Sequence, residues 1–352
     1  MELFTPFDQR SLTLRNRIVV APMCQYSASD GVPHDWHLVH LGSRAVGGAA
    51  AVVAEATAVS PEGRISPGDT GIWNDAQVSA WQPITAFLRS QHAIAGVQLA
   101  HAGRKASAQR PWEGGGPLPV GQGDWTTLAP SAIPFDQGWH TPQALDEAGL
   151  RKVVDDFRAA AKRALAAGFQ LIEVHAAHGY LLHQFLSPLS NHRTDGYGGS
   201  FENRTRLVRE VLAAVREVWP ETLPLWLRVS ATDWADGGWS VEQSVRLARE
   251  VKPLGVDLID VSSGGLVPHV KIPVGPGYQV PFAARIRREA EIATGAVGLI
   301  TGSQQAAQII GNHEADLVLI ARESLRDPYF PRRAAQELGA SILPPVQYQR
   351  AW

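Results

Sequence analysis

A single cysteine, Cys24, in 352 residues leaves no partner for an intrachain disulfide and no set of thiols for a zinc or iron–sulfur site. Charge of one sign is lacking too. The 32 lysines and arginines against 34 aspartates and glutamates give a formal charge of −2, too weak a field to draw in nucleic acid or an anionic membrane. Long apolar runs are missing: the greasiest stretch, 46–54, is rich in Gly and Ala and too short to cross a bilayer. The opening Met1-Glu2-Leu3-Phe4-Thr5-Pro6 has neither the basic end nor the apolar core of a secretory signal. There is no repeat of fixed period, no low-complexity tract and no G-x-G-x-x-G after a strand. What remains is the expectation of a cytoplasmic protein with a small-molecule ligand, without nucleic-acid or membrane partners. A chain of this length buries roughly 75% of its unfolded surface, in one large domain or two ordinary ones.

Apolar β-like runs lie at 18–21, 51–54, 96–99, 171–174, 225–229, 258–261, 297–300 and 317–320, and most are followed by a stretch of helical period. The helices are expected at 36–46, 75–91, 146–167, 201–219, 241–252, 280–293, 304–312 and 331–338, with Asp75 and Asp146 as N-caps and Gly168 as a stop. Eight strands with eight helices is the count of a single (β/α)8 TIM barrel, whereas a doubly wound sheet has fewer strands and a Gly-rich first turn. Two apolar patches at 3–7 and 12–14 are expected to form a short N-terminal hairpin closing the barrel bottom. The connection 102–146 after strand three is out of scale, and its Trp112, Trp125, Phe135 and Trp139 seek a surface to cover, so it reads as a lid. A second candidate lid is 262–279, and 341–352 forms a C-terminal tail.

The chemistry is expected at Glu173-Val174-His175-Ala176-Ala177-His178-Gly179-Tyr180. A residue leaving a parallel strand at its carboxyl end stands at the barrel mouth, where ligands bind. Two imidazoles and a phenol within six residues can hold an electron-rich oxygen and supply a proton; the alternative is a turn capped by two structural histidines. Ala21-Pro22-Met23-Cys24-Gln25-Tyr26 brings a thiol and a phenol to the same mouth, although a lone cysteine also serves as a small buried hydrophobe. Ala56 lies just beyond strand two, Gln98 ends strand three, and Arg228 lies within strand five. Its guanidinium faces a ligand or bridges to Glu173 or Glu55. Gly298-Leu299-Ile300-Thr301-Gly302-Ser303 and Ala321-Arg322-Glu323 follow the last two strands, where barrels often bind phosphate on backbone N–H groups and a helix N-terminus.

Together with Gln98-Leu99-Ala100-His101-Ala102-Gly103-Arg104, Asn191-His192-Arg193-Thr194-Asp195-Gly196-Tyr197-Gly198-Gly199-Ser200 and the terminal Gln347-Tyr348-Gln349-Arg350-Ala351-Trp352, these segments resemble the old yellow enzyme family, and most of all its cysteine-bearing, thermophilic-like branch. The resemblance spans nearly the whole chain in order. It implies non-covalently bound FMN, NADPH or NADH as reductant, and reduction of the C=C bond of electron-poor alkenes such as enones, maleimides and nitroalkenes. It also implies roles. Ala21, Pro22, Met23, Cys24, Ala56, Gln98 and Arg228 would line the flavin ring, with Cys24 tuning its redox behaviour. Gly298, Gly302, Ala321 and Arg322 would lie along its phosphate. Tyr26, His175 and His178 would bind substrate, Tyr180 would give the proton, and Arg350 would complete the pocket of a neighbouring protomer in a homodimer or homotetramer. No metal is implied. Ala321 stands where the family usually has Gly, and the loop 106–146 is longer than in the shortest relatives. The rival readings are a zinc hydrolase on His175 and His178, which lacks a His-x-His after strand one and nearby anionic ligands, and a flavin- or phosphate-binding sensor without turnover.

Overall fold

The computed structural model describes residues 2–351; Met1 and Trp352 lie outside the described residues. Eight parallel strands close into a barrel: β1 (Ile18–Val20), β2 (Ala51–Ala58), β3 (Ile94–Ala100), β4 (Leu171–Ala176), β5 (Leu225–Ser230), β6 (Leu258–Ser262), β7 (Ala293–Ala296) and β8 (Leu317–Ile320), the last pairing back on β1. Around them run α1 (Asp35–Val46), α2 (Asp75–Ser90), α3 (Glu147–Ala166), α4 (Phe201–Val218), α5 (Val241–Val251), α6 (Val280–Ala290), α7 (Ser303–Gly311) and α8 (Phe330–Glu337). This is the expected (β/α)8 barrel. Among the described residues no helix is long and apolar enough to cross a membrane.

Strands β2 to β6 are buried along their whole length because helices cover one face and the barrel interior the other. The side chains still alternate. Leu171, Trp226 and Leu258 join an interior cluster with Val53, Ile94 and Leu319, whereas Ile172, Val174, Leu227, Val229, Ile259 and Val261 pack outward under the helices. Two residues further along, the same parity turns Glu173, Arg228 and Asp260 inward, and Gln98 pairs in register with Glu173. His175 lies opposite Arg228 in register, and Ser262 opposite Ser230, at the carboxyl ends of their strands. The hairpin Phe7–Gln9/Leu12–Leu14 packs Phe7, Leu12 and Leu14 against the interior cluster and plugs the other end.

Two local expectations need correction. The seventh strand is Ala293–Ala296, and the apolar run 297–300 is the loop after it, with Leu299 at φ +51. Gly295 of this strand fills a tight place: a Cβ on it would stand 2.3 Å from Leu319 Cδ1 in the barrel interior. The cap of α2 is Asn74 rather than Asp75. Its side chain accepts the Gln77 N–H at 3.0 Å, while the Gln77 side chain accepts the Asn74 N–H at 3.2 Å, a reciprocal capping box that leaves Asp75 to favour the helix dipole from the first turn. Asp146 caps α3 as expected, and Gly168 follows that helix at φ +86.

Strand β2 also runs past the expected end and carries a bulge between Ala54 and Ala56. Ala54 stays on the outer face, Ala56 turns inward beside Gln98, and the unpaired Glu55 accepts the Gln25 N–H at 3.0 Å. The long connection 102–146 holds two short 3-10 turns and a two-residue pairing of Leu128–Ala129 with Gln143–Ala144. It is tied down by Trp125 Nε1, which donates to Glu62 O at 3.0 Å, and by Arg104, which donates to Leu266 O at 2.8 Å.

Gly295→Ala is expected to destabilise the barrel by about 1–3 kcal/mol, the usual effect of an added carbon in a filled core. In a double-mutant cycle Gly295→Ala should cost less on a Leu319→Ala background than in the parent; thermal unfolding of the three variants checks it, and a Gly295→Ala protein as stable as the parent would show that the interior yields at this point.

Candidate active site

The turn leaving β4 gathers the three groups expected on it. His175 is 3% exposed, and its Nδ1 accepts the Ala177 N–H at 3.3 Å, so the proton of the neutral ring sits on Nε2. His178, at φ +58, donates its backbone N–H to Ser230 Oγ at 2.9 Å and sets its Nε2 2.7 Å from Ser262 Oγ. The Ser262 hydroxyl has a better acceptor in that nitrogen than in Gln279 Oε1 at 3.4 Å, which already takes the Ser263 hydroxyl at 2.7 Å. Ser262 therefore donates to His178, and the ring proton lies on Nδ1. The rings of His175 and His178 stand 5.1 Å apart and those of His175 and Tyr180 5.0 Å apart, both edge to face. Burial, and next the Arg228 guanidinium, hold both imidazoles well below their ordinary range. Burial, with Cys24 and Asp69 nearby, pushes the Tyr180 phenol well above its own. At neutral pH the turn thus offers two uncharged N–H donors and an un-ionised phenol.

Beneath the turn lies a buried polar layer. Gln98 Nε2 donates to Glu173 Oε1 at 2.8 Å. Arg228 does not bridge to Glu173 or Glu55; its Nε lies 2.9 Å from Asp260 Oδ2 on the next strand, an ion pair whose N–H is not aimed at the oxygen. The register decides this, because Arg228 and Asp260 are direct neighbours on β5 and β6. Burial and the Asp260 carboxylate push Glu173 well above the ordinary carboxylate range. Asp260, also raised by burial, has the guanidinium to offset it.

At the end of β1, Cys24 is half-buried. Burial, then Asp69 and Glu55, push its thiol well up, and Tyr26 lies within hydrogen-bonding range. The thiol is therefore not a ready nucleophile. Tyr26 holds φ +51 and meets Trp112 of the long connection edge to face at 6.1 Å. Ala21 is buried, and Pro22 and Met23 are half-buried. Past β7 and β8, a cavity of about 130 Å³ is lined by Ser262, Gly298, Thr301, Ala321 and Arg322 among others. Gly302 caps the N-terminus of α7 with nothing within 4 Å of the place a Cβ would take. Ala321 needs no glycine, since its φ is −101.

The tail goes elsewhere. Residues 343–349 share a groove with Ala45, Val46, Ser90 and Gln91, where α1 and α2 end and the strands begin, and Arg350 is exposed. Arg350 is thus not brought to its own chain's His175 and His178, and Trp352 lies outside the described residues.

Several groups escaped the sequence reading. Asp260 hides in an apolar run and is visible only through the inward parity of β6. Ser262 fixes the His178 tautomer. Lys105 donates to His178 O at 2.9 Å and Gly265 O at 3.1 Å, its Nζ 5.2 Å from the centre of the Tyr180 ring; burial, then Arg104, lowers it to about 8. Glu55 and Asp69 correct the picture of a mouth poor in carboxylates. Even so, among the described residues no three His, Cys, Asp or Glu side chains gather as metal ligands.

Residues 2–340 match the NADH:flavin oxidoreductase / NADH oxidase family. An NADPH dehydrogenase of Bacillus velezensis is 50% identical over 353 residues, covering 100% of this chain and 99% of the relative. Among solved structures, morphinone reductase in complex with tetrahydroNAD is 30% identical with a TM-score of 0.79, covering 97% of this chain and 92% of that one. An old yellow enzyme homologue from Zymomonas mobilis is 27% identical with a TM-score of 0.81, covering 97% and 94%. With the closed barrel and the paired histidines at its mouth already in place, these likenesses show that the chain belongs to the NADH:flavin oxidoreductase / NADH oxidase family and is an NADPH-dependent FMN oxidoreductase of the old yellow enzyme kind.

Proposed function

We propose that the protein reduces the C=C bond of electron-poor alkenes, among them enones, maleimides and nitroalkenes, with His175 and His178 binding the activating oxygen and Tyr180 giving the proton. The observation that carries the reading is the convergence on one turn of two neutral N–H donors and an un-ionised phenol, with ring centres 5.0 and 5.1 Å apart. Bound FMN, reduced by NADPH or NADH, supplies the hydride.

The residues present suit that cofactor. Gln98 and Arg228 put an amide and a guanidinium in the layer below the mouth. Ala21, Pro22, Met23, Cys24 and Ala56 would hold the ring, and the un-ionised thiol of Cys24 makes it a tuning group rather than a nucleophile. Gly298, Gly302, Ala321 and Arg322 would hold the phosphate at the 130 Å³ cavity, where the open N-terminus of α7 and an exposed guanidinium favour an anion.

The chain's own chemistry is then simple. His175 Nε2–H and His178 Nδ1–H meet the negative charge that grows on the substrate oxygen, and being neutral they bind the charged form better than the ground state without drawing in anions. Tyr180 hands its proton to the α-carbon, a task open to a phenol because the acceptor is a strongly basic carbanion. Tyr26 would line the other side of the substrate. The chain works as one FMN-binding unit, 1–352, in which 102–146 covers the mouth as a lid and 341–352 is a tail. Because Arg350 is remote from its own mouth, the tail reads as exchanged in a homodimer or homotetramer, with Arg350 entering a neighbour's pocket. The cytoplasm is the natural setting.

His178→Ala is expected to lower turnover of cyclohexenone by on the order of 10²–10³, the worth of one donor aimed at developing charge, and His175→Ala similarly, while FMN stays bound. A double variant reducing cyclohexenone at the parent rate would end the proposal.

Tyr180→Phe should slow oxidation of the reduced enzyme by an enone by about 10²–10⁴ and leave its reduction by NADPH unchanged in stopped-flow. Equal slowing of both half-reactions would make the phenol structural.

Deleting residues 350–352 should raise KM for substrate while the protein remains folded and yellow, and deleting 347–352 should also weaken association. A fully active monomer in light scattering would remove the tail from the site.

A further inference from the structure

The turn that carries His178 and Tyr180 is held at its middle residue by a buried pair that the reaction itself does not use. His183 opens the first turn of the short helix Leu181–Leu186, and Asp233 lies in the loop after β5; both side chains are 0% exposed. His183 Nδ1 accepts the Gly179 N–H at 2.9 Å, and His183 Nε2 lies 2.8 Å from Asp233 Oδ1. The other carboxylate oxygen, Oδ2, accepts the Ser187 hydroxyl at 2.6 Å and the Trp239 N–H at 2.7 Å. Gly179 is gripped on its carbonyl as well, by Gln184 Nε2 at 2.7 Å.

Every proton in this chain is determined. A backbone N–H only donates, so the Nδ1 facing Gly179 is bare and the imidazole proton sits on Nε2, directed at Asp233. Only an acceptor at Oδ1 keeps that tautomer.

We infer that Asp233 and His183 form a positioning dyad for the proton donor and the oxygen-binding histidine: the carboxylate fixes the imidazole tautomer, the bare Nδ1 holds the Gly179 N–H, and the two residues flanking Gly179 are thereby set. The dyad touches neither substrate nor cofactor, and it rests on the proposed roles of His178 and Tyr180. Gly179, at φ +73, sits where the chain has least intrinsic preference and most need of an outside hold.

Asp233→Asn tests this with a side chain of the same shape. Trp239 N–H must still find an oxygen, so the amide oxygen occupies the Oδ2 place and the NH₂ turns to His183 Nε2. The imidazole proton is then forced onto Nδ1, against the Gly179 N–H, two donors facing each other. In the FMN-loaded enzyme the expected result is a fall in kcat with cyclohexenone and NADPH of about 10²-fold, the usual effect of a misplacement near 1 Å, with a smaller change in KM and FMN retained. Hydrogen exchange of the peptide 175–182, read by mass spectrometry, should quicken at the same time. Asp233→Asn with wild-type kcat and wild-type exchange overturns the dyad. If that variant does not fold, His183→Asn and His183→Gln decide. The asparagine oxygen replaces Nδ1 against Gly179, whereas the longer glutamine reaches Asp233 and leaves Gly179 bare; the dyad requires slower exchange in 175–182 for Asn than for Gln, and the reverse order refutes it. Should the wild-type enzyme fail to reduce cyclohexenone while Asp233→Asn still quickens exchange, the alkene-reductase reading falls and the dyad stands.

Discussion

The interior of a closed parallel barrel is filled by side chains, and a polar side chain that the strand parity turns inward takes its partner from the neighbouring strands. Glu173 and Asp260 are both 0% exposed, a placement that would cost several kcal/mol per unpaired charge. The solution is a layer in which Gln98 meets Glu173 and Arg228 meets Asp260. One guanidinium faces one carboxylate, and the second carboxyl, Glu173, is pushed well above the ordinary range by burial and Asp260. The layer stands directly below His175, whose imidazole is held low first by burial and then by the Arg228 charge beside it. The layer thus adds to burial in keeping that imidazole uncharged.

The fold was legible because its signals were redundant. Eight apolar runs interleaved with helical period give the barrel even when one run is misplaced, as the seventh was. The apolar run 297–300 drew the strand, whereas the true strand 293–296 carries Gly295, whose place is decided by tertiary packing against Leu319. The β4 turn was legible because His175, His178 and Tyr180 are neighbours in sequence, so no long-range contact had to be guessed. What stayed hidden was set by register or by loops. The partner of Arg228 follows from the stagger of β5 against β6, Ser262 reaches His178 across 84 residues of sequence, and Asp233 reaches His183 across 50. None of these pairs has a local pattern to betray it. Lys105, just past the segment 98–104, showed no role, because its two acceptors are backbone carbonyls of distant turns.

The titratable side chains at the mouth are shifted toward their uncharged forms: two imidazoles held low, and the phenols of Tyr26 and Tyr180 and the thiol of Cys24 held high, burial being the first cause for each, with the Lys105 ammonium and the Arg228 guanidinium beside the histidines. Around the ends of β7 and β8 an exposed Arg322 and the N-terminus of α7 offer positive potential. An anion is thus favoured at the ends of β7 and β8.

The turn after β4 is closely packed against its neighbour. A Cβ on Gly179 would stand 2.2 Å from Gly265 O, and one on Gly265 would stand 2.8 Å from His178 Cα, so the turn after β4 and the loop after β6 interlock with no space between their backbones. Lys105 bridges the two by donating to a carbonyl of each. The long connection after β3, to which Lys105 itself belongs, is held both through its backbone, Ala102 N–H on Gly63 O and Ala108 N–H on Ile65 O at 2.8 Å each, and through the ends of long side chains, Trp125 on Glu62 O, Arg110 on Tyr26 O and Arg104 on Leu266 O. Two backbones in direct contact leave the turn after β4 little room to shift against the loop after β6, whereas a segment held in part by side-chain ends adjusts by rotation about several bonds.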